Sequence, residues 1–410
     1  RVDRRQRQMC IRDRQKIEDL DESDEKTIGI RALVDHKQAF VSSSDIETEN
    51  IERLVSKCVE MAKLAPVDDT AVLGDSSLFE KNAADLDLYQ EEEIDTKILI
   101  DAVKECEDSA LSVKGITNSE GAGASSSKAE FFLATSNGFH GGYKSSTSSI
   151  SCSVLAGEGQ DMERDYEYAV KRFSSDLPNP KEIGQSAAEK TLKRLNPQKI
   201  NSTKLPVVFD KRISNDLLGY LASSISGTSI ARGTSFLKDS LGKQIFNKDV
   251  TIIDDPSINR GLGSKPFDGE GIKVEKREIV TNGKLNSWIL NTSTAKKLGL
   301  KTTGNASRSV GSPPGVSTSN LYMTNGIKSY DDIITSINYG FYATELIGMG
   351  VNLVTGDYSM GASGMLIKNG EITHAVSEVT IASNLKEIFM NLSAANDLEF
   401  KYRSNAPTVL

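Results

Sequence analysis

Three Asn-Gly dipeptides, each between two extended runs of residues, constrain the fold of this chain more than any other feature. They are Asn137-Gly138, Asn282-Gly283 and Asn369-Gly370. Asn and Gly tolerate the positive φ angles of a tight hairpin turn, so each dipeptide predicts two antiparallel strands joined directly. The runs beside the first dipeptide are rich in Ser, Thr and Gly, with apolar residues alternating between them. Antiparallel sheet is therefore predicted in both halves of the chain.

Helical periodicity separates these hairpins. Apolar residues recur at helical spacing over 49–65 and 94–111, and a third helix is predicted over 180–195. The stretch "SNDLLGYLASSISGTSIARGTSFL", Ser214–Leu237, predicts an amphipathic helix capped by Ser214 and followed by a Gly- and Ser-rich loop. Short helices are also predicted over 292–299 and 384–392.

Strand runs mixed with separate helices, without regular βαβ alternation, indicate an α+β fold. We expect an N-terminal mixed helix/strand region, followed by a C-terminal domain dominated by an antiparallel, barrel-like sheet with packed helices. The length of 410 residues predicts two or three domains. Shifts in composition place an N-terminal α/β domain, truncated at its start, at 16–93. A central helix-hairpin-helix region follows at 94–200, and a C-terminal domain at 201–410.

The first 15 residues differ from everything after them. The stretch "RVDRRQRQMCIRDRQ" holds six Arg and two Asp, whereas the whole chain has a formal charge of −8. The run "MCIRDR" looks like the translation of a transposon end used to prepare sequencing libraries. We therefore expect residues 1–15 to be a non-native leader, and a genuine basic, disordered arm is the alternative.

Composition excludes several classes of protein. The acidic balance disfavours nucleic acid as a partner, and the sequence holds no run of about 18 apolar residues that would span a membrane. Four Cys without a C-x-x-C pair argue against a disulfide framework and against a thiolate zinc site. A cytoplasmic protein fits these observations.

No single motif identifies a catalytic centre. His36, His140 and His374 are far apart in sequence and are interpreted as surface or structural residues, although assembly of a three-His zinc site over long range stays open. The sequence contains no G-x-S-x-G elbow, Walker A pattern or Rossmann fingerprint. Cys152 lies in a predicted strand with no visible base, and a packing role is favoured.

Five runs in the last 200 residues resemble the PmbA/TldE branch of the TldD/PmbA family. They are "GTSFLKDSLGKQIF", "VTIIDDPSINRGLGSKPFDGEG", "LGLKTTGNASR", "GDYSMGASGMLIKNGEITHAVSEVTIASNL" and "ANDLEF". Their order and spacing fit the family, and the helix–hairpin pattern of residues 16–200 extends the resemblance over nearly the whole chain. Family members usually extend further at both ends, so this copy is expected to be trimmed.

The resemblance implies a cytoplasmic bacterial or archaeal zinc peptidase built as a TldD–TldE heterodimer. Its substrates would be unfolded or extended peptides, including leader peptides and labile antitoxins. In the TldD-type sister, a helix ahead of a G-T-S motif carries His-Glu-x-x-x-His, which supplies two zinc ligands and the general base. A Cys after an Asn-Asp-Leu motif supplies the third ligand.

Neither element is present here. The helix reads "SNDLLGYLASSIS", with Asn215, Asp216 and Tyr220 as its nearest polar substitutes, and "EFKYRSNAPTVL" follows Asn396-Asp397-Leu398 without a Cys. The resemblance therefore implies a non-catalytic TldE-type subunit with no catalytic, cofactor-binding or metal residue of its own. Zinc is expected in the TldD-type partner, and a homodimer is possible when the chain is alone.

We expect peptide or partner contacts at the G-T-S motif and along the strand that begins "GDYSMG", where a sheet edge could hold an extended peptide. The residues are Gly233, Thr234, Ser235, Gly356, Asp357, Ser359 and Gly361. Ordinary core and dimer packing is the alternative. The aperiodic segment Lys301–Asn320 is interpreted as a gate or a contact with the sister. A stand-alone peptide-binding or regulatory protein, such as the modulator of DNA gyrase in an older interpretation of the family, is the second functional hypothesis.

Overall fold

A computed structural model describes residues 1–410, except for the side chain of residue 160. Its described residues form eight α-helices and three short 3-10 helices, and none of these is long and apolar enough to cross a membrane. The α-helices are α1 (Thr48–Leu64), α2 (Thr96–Leu111), α3 (Pro180–Lys193), α4 (Asn215–Ser224), α5 (Gly227–Arg232), α6 (Thr292–Leu298), α7 (Tyr330–Thr335) and α8 (Leu385–Asn391).

An antiparallel sheet of six strands dominates the N-terminal half. Its strands are β1 (Val2–Asp13), β2 (Lys16–Val34), β3 (Lys37–Ser43), β4 (Ile116–Ala134), β5 (His140–Ala156) and β6 (Glu163–Lys171), in the spatial order β3-β2-β1-β4-β5-β6. Helices α2 and α3 pack on this sheet through a core that includes Val103, Ala187 and Val154. The segment that we expected to be a non-native leader thus forms β1, between β2 and β4, and its origin stays a prediction.

The C-terminal half contains three further sheets. A five-stranded sheet has the order β10-β9-β8-β13-β17, a four-stranded sheet has the order β16-β15-β14-β7, and β11 pairs with β12. The strands are β7 (Val207–Phe209), β8 (Ile252–Asp254), β9 (Arg277–Thr281), β10 (Lys284–Leu285), β11 (Ala306–Ser307), β12 (Gly315–Val316), β13 (Leu321–Met323), β14 (Tyr339–Ile347), β15 (Asp357–Lys368), β16 (Glu371–Asn384) and β17 (Ser404–Asn405). Two pairs, β7 with β14 and β13 with β17, are parallel, and the others are antiparallel. The predicted α+β class is confirmed.

The three dipeptides predicted to form turns all lie in hairpin connections, whereas a fourth Asn-Gly, Asn325-Gly326, lies between β13 and α7. The three predicted turns join β4 to β5, β9 to β10 and β15 to β16. At the second and third dipeptides both residues have positive φ, with values of 49° and 76° at Asn282-Gly283 and 54° and 79° at Asn369-Gly370. These are the left-handed conformations that the two residue types adopt at low cost.

The stretch Ser214–Leu237 differs from the prediction in two ways. Ser214 does not cap α4 with its side chain, because its backbone is already helical and its hydroxyl donates to the carbonyl of Ala406 at 3.3 Å. The Gly- and Ser-rich segment, expected to be a loop, contains the short helix α5, which ends at Gly233 in the left-handed conformation. Packing of Ile230 in the C-terminal core outweighs the weak helix propensity of Gly and Ser there.

Ion pairs join the central region to the C-terminal domain. Asp165 on β6 is buried and lies 2.7 Å from Arg212, which also stacks on Tyr166 at 4.1 Å. Arg194, just after α3, reaches both Asp165 and Glu345 on β14. The two regions are therefore docked through charges that are mostly withdrawn from water.

Candidate functional site

Helix α4 occupies the position where the resemblance places the sister's zinc-binding helix. Leu217, Leu218 and Leu221 are fully buried in the C-terminal core, which also contains Trp288. Asp216 and Tyr220, four residues apart, share a more exposed face, on which Asp216 is exposed and Tyr220 is half-buried at the border of the core. The sequence pattern thus separates a packing face from a polar face, as predicted.

Tyr358 on β15 faces the polar side of α4. Its ring meets that of Tyr220 edge to face, with centroids 6.1 Å apart. The Tyr358 side chain is 2 % exposed, and its hydroxyl has no hydrogen-bond partner among the described residues. We call Asp216, Tyr220 and Tyr358 the tyrosine patch.

The tyrosine patch favours neutral side chains. Burial is the main cause that raises the pKa of Tyr358, and the nearby Tyr220 and Asp216 raise it further. Loss of solvent raises the pKa of Asp216, although this residue lies on the exposed face of α4, and burial beside Asp216 raises the pKa of Tyr220. Both hydroxyls therefore keep their protons at neutral pH, which makes them poor metal ligands.

The G-T-S motif forms a tight turn after α5. Gly233 ends the helix with φ 71°, and the amide of Thr234 donates to the carbonyl of Ser229 at 3.0 Å. Ser235 is buried, and its hydroxyl accepts a hydrogen bond from the amide of Leu237. A side chain at position 233 would meet no atom within 4 Å, so this turn leaves open space beside it.

The second group of expected contact residues lies at the start of β15. Gly356 has φ 88°, and the carboxylate of Asp357 accepts hydrogen bonds from Thr355 and Asn384, which lower its pKa. Ser359 and Gly361 follow on the same strand, and the amide of Ser359 donates to the carbonyl of Gly350 at 2.7 Å.

One backbone hydrogen bond joins residues that neighbour the two groups. The amide of Phe236, just after the G-T-S turn, donates to the carbonyl of Leu353 at 2.9 Å. Leu353 belongs to the loop between β14 and β15, so the turn and the loop lie side by side. A role of these residues in binding peptide or partner stays a prediction.

The loop between β14 and β15 is apolar at its surface, a feature that the sequence analysis missed. Met349 is fully exposed, and Ile347 and Val354 are each 55 % exposed. Three exposed apolar side chains, one at the end of β14 and two in the loop that follows it, are typical of a surface that contacts another protein. The available signal was a set of apolar residues close to Gly348, Gly350 and Gly356, since closely spaced glycines favour a loop.

The segment Lys301–Asn320 is anchored at both ends. Asp254 accepts hydrogen bonds from the Asn305 amide group at 2.9 Å and from the backbone of Ser319 at 2.7 Å. Between these anchors, Gly311 approaches Ser42 on β3 so closely that a Cβ would lie 2.7 Å from its hydroxyl oxygen. This segment therefore contacts the chain's own N-terminal sheet, and the expected gate or sister contact stays a prediction.

The histidines and cysteines lie where their local patterns place them. His36 is in the β2–β3 turn, His140 begins β5 and His374 is within β16. The part of the chain that the structure describes contains no group of three or more His, Cys, Asp or Glu side chains arranged to hold a metal ion. Cys58, Cys106 and Cys152 are buried in packed cores and are not joined in disulfides, in agreement with their interpretation as packing residues.

Comparison with known families gives three matches along the chain. The families are described as PmbA/TldA metallopeptidase domain 1, central domain and C-terminal domain, and they match residues 1–62, 89–195 and 202–410. The C-terminal match includes α4, the G-T-S turn and β15.

Similar proteins and structures extend over the same length. The metalloprotease PmbA of Escherichia coli O157:H7 is 37 % identical over 396 residues, which cover 96 % of this chain and 86 % of that protein. A PmbA homologue of Haemophilus influenzae is 35 % identical over the same shares of the two chains. A crystal structure from Bacteroides thetaiotaomicron, whose name proposes a modulator of DNA gyrase, superposes with a TM-score of 0.92 at 27 % identity and covers all of this chain and 91 % of its own. The structure of TldE from Thermococcus kodakarensis has a TM-score of 0.88 at 20 % identity, which is a likeness of fold, and covers all of this chain and 93 % of its own.

Proposed function

The chain belongs to the PmbA/TldA metallopeptidase family, and from that premise we propose that it is the non-catalytic, TldE-type subunit of a cytoplasmic TldD–TldE zinc peptidase. The main support for this proposal is the polar face of α4. At the position where the sister's helix is expected to hold two zinc ligands and a general base, this helix presents Asp216 and Tyr220. The scaffold is retained while the ligand types are replaced.

The tyrosine patch does not fit a hydrolytic zinc ion. Such a site uses three protein ligands of the His, carboxylate or Cys type and keeps one position open. The patch offers one carboxylate, and its two hydroxyls are held in the protonated form. The zinc of the assembly would therefore be bound by the TldD-type chain, and we derive no catalytic step from this one.

The exposed β14–β15 loop supports a role in assembly. Ile347, Met349 and Val354 are apolar and face solvent, and the loop is hydrogen-bonded to the turn after α5. Docking these side chains on a partner would bury apolar area, and it would bring the G-T-S turn and the start of β15 close to the partner's cleft. The chain would then help to shape the substrate cleft of its sister.

Strand β16 supports binding of extended peptides. It lies at the edge of its sheet and pairs with β15 alone among the named strands. Outside this pairing, a single isolated bridge joins Val376 to Gln198. An unfolded peptide can add to such an edge through main-chain hydrogen bonds, which depend little on side-chain identity. Peptides of this kind include leader peptides and labile antitoxins.

Co-expression with a TldD-type chain that carries His-Glu-x-x-x-His tests the proposal. We expect the two chains to co-purify and to cleave an unfolded peptide in a chelator-sensitive reaction, whereas this chain alone should not. Replacement of the Glu in the sister's motif by Gln is the control that assigns the activity. Chelator-sensitive cleavage by this chain alone would disprove the non-catalytic role. Failure to associate with any TldD-type chain would favour a stand-alone peptide-binding or regulatory protein.

A matched pair of surface variants tests the docking loop. Met349→Asp places a charge on the proposed interface, and Ile327→Asp places the same charge on another exposed apolar residue, which is 90 % exposed and lies outside this loop. We expect Met349→Asp to weaken co-purification with the partner at least tenfold, and Ile327→Asp to leave it unchanged. Equal behaviour of the two variants would place the interface elsewhere.

A further inference from the structure

A cavity of about 290 Å³ lies between the six-stranded sheet and the C-terminal domain. Phe131 on β4 and Tyr143 on β5 line one side, and Phe267 and neighbouring residues of the 262–269 segment line the other. The three aromatic rings pack on each other, with centroid distances of 5.3–6.0 Å. The cavity thus has a rigid aromatic wall built from both halves of the chain.

Besides the exposed Arg5, four cations around this cavity have no carboxylate within 4 Å among the described residues. They are Arg172, Lys265, Arg308 and Arg403. We call this space the cationic cavity. A protein with a formal charge of −8 has many carboxylates available for pairing, so four unpaired cations in one place call for an explanation.

Two of these cations are held in place by neutral groups. Arg172 is 7 % exposed, and its guanidinium donates to the carbonyls of Ser146, Gly261 and Leu262. Arg403 donates to the carbonyls of Thr318 and Ser319 and to the hydroxyl of Ser317. Their geometry is fixed, but no anion neutralises either charge.

The other two cations, Lys265 and Arg308, are partly buried and have no hydrogen-bond partner within the described part of the chain. Burial is the main cause that lowers the pKa of Lys265, although Asp268 and Asp254 act in the opposite direction. Burial, together with repulsion from Arg31 and Arg1, lowers the pKa of Arg308 to about 10. No hydrogen bond from either side chain is present within the described part of the chain. A withdrawn cation without a partner is unfavourable, because its hydration is not replaced.

The acidic residues of the cavity wall are already engaged. Asp3 pairs with Arg1 at 2.7 Å, and Glu130 pairs with Lys144 at 3.1 Å. Asp268 accepts hydrogen bonds from the backbone amides of Glu270, Ile272 and Ala306. None of these carboxylates neutralises the four cations by direct contact.

We propose that the cationic cavity binds an oxyanion, the phosphate or carboxylate group of a small ligand or of a peptide terminus. Such a group offers several acceptor lone pairs, which suit the fixed guanidinium of Arg172 and the free side chains of Lys265 and Arg308. The aromatic wall of Phe131, Tyr143 and Phe267 would contact the organic part of the ligand. Binding would replace the missing hydration with charge-assisted hydrogen bonds. This site is separate from the tyrosine patch, and it stands independently of the proposed function.

Calorimetric titration of the whole purified chain with inorganic phosphate tests the site, with sodium chloride at matched ionic strength as the reference. Arg308→Gln and Lys265→Gln should each weaken phosphate binding about tenfold or more. Lys297→Gln, an exposed cation on α6, should leave it unchanged. Arg308→Gln should not lower the melting temperature measured without phosphate, because the arginine gains no partner there; this result separates loss of binding from loss of fold.

Two further ligand pairs distinguish the sources of the oxyanion. Tighter binding of adenosine monophosphate than of adenosine would indicate a phosphate ester. Tighter binding of a short peptide as its free acid than as its amide would indicate a peptide carboxylate. The proposal is overturned if neither phosphate, nor the nucleotide, nor the free-acid peptide binds more tightly than its reference. Binding that persists undiminished in both cavity variants would also overturn it.

Discussion

The tyrosine patch and the cationic cavity lack charge partners of opposite sign. The patch has an acid and two hydroxyls with no cation close to them, and burial raises their pKa values, which favours the neutral forms. The cavity has four cations with no carboxylate in contact, and guanidinium groups stay charged at neutral pH. A surface that becomes neutral needs no ligand, whereas a charged cavity is more stable when an anion fills it. We therefore expect α4 to act as scaffold in this chain, and ligands to bind at the cationic cavity.

The largest change in stability is expected from a substitution on the buried face of α4. Leu221→Ala removes a fully buried side chain and should lower the free energy of unfolding by about 2–5 kcal/mol. Trp288, the only tryptophan, lies in the same core, so its fluorescence during urea unfolding reports on this domain. A loss well under 1 kcal/mol would mean that α4 is not the scaffold described above.

A pH experiment sharpens the comparison at the cavity. Burial is the main cause that raises the pKa of Asp268 from 3.8 to about 6, with repulsion from Glu270 next. The folded protein therefore binds a proton that the unfolded chain releases, so the contribution of Asp268 to stability is complete below pH 4 and is lost as the pH rises through 6. The loss is about 3 kcal/mol.

Urea unfolding at several pH values measures this effect. Relative to the wild type, Asp268→Asn should lose the downward slope of stability between pH 4 and 6. The variant also loses an acceptor for the amide of Ala306, so the slope and not the absolute stability is the readout. Asp239→Asn, an exposed control, should keep the wild-type slope.

Two tyrosines of the same four-stranded sheet form a matched pair. Tyr342 on β14 donates a hydrogen bond to the carboxylate of Asp210, whereas the Tyr358 hydroxyl is buried without a partner in the described structure. Tyr342→Phe should destabilise the protein by about 1–2 kcal/mol, and Tyr358→Phe should be neutral or stabilising by up to about 1 kcal/mol. Comparable losses in both variants would show that the patch hydroxyl is satisfied, for example by ordered water.

The smallest effect is expected on the polar face of α4. Asp216→Asn and Tyr220→Phe should each change the stability by less than about 0.5 kcal/mol. Both should also leave unchanged the zinc content of the complex with a TldD-type chain, measured by elemental analysis. Loss of zinc from the complex in either variant would show that this face of α4 contributes to the metal site.

Local chemistry made part of this structure predictable. The Asn-Gly hairpins were predicted correctly because both residue types accept the positive φ of a tight turn and because extended runs flank each dipeptide. Helices α1, α2 and α3 were predictable since their apolar residues repeat at helical spacing. Gly299, the last residue of the helix predicted over 292–299, ends α6 in the left-handed conformation, which suits a glycine just after the last apolar residue.

Other features depend on contacts that no local pattern contains. Ser214 does not cap α4, because its hydroxyl donates a hydrogen bond to the carbonyl of Ala406, near the C-terminus of the chain. The cationic cavity combines Arg172, Lys265, Arg308 and Arg403 from four separate segments, each of which looks ordinary by itself. The hydrogen bond from Phe236 to Leu353 places the G-T-S turn beside the β14–β15 loop, and no local sequence pattern contains that contact.

The ion pairs around Asp165 have a consequence for inheritance. Arg212 belongs to the C-terminal domain, yet its carboxylate and its aromatic partner are on β6. A gene that acquired a foreign central segment would leave Arg212 and Glu345 without their counterparts, and the exchange would be selected against. Although the sequence suggests a boundary near residue 200, the two parts are expected to have descended together, and recombinant chimaeras joined at that point should fold only when both parents supply compatible charges.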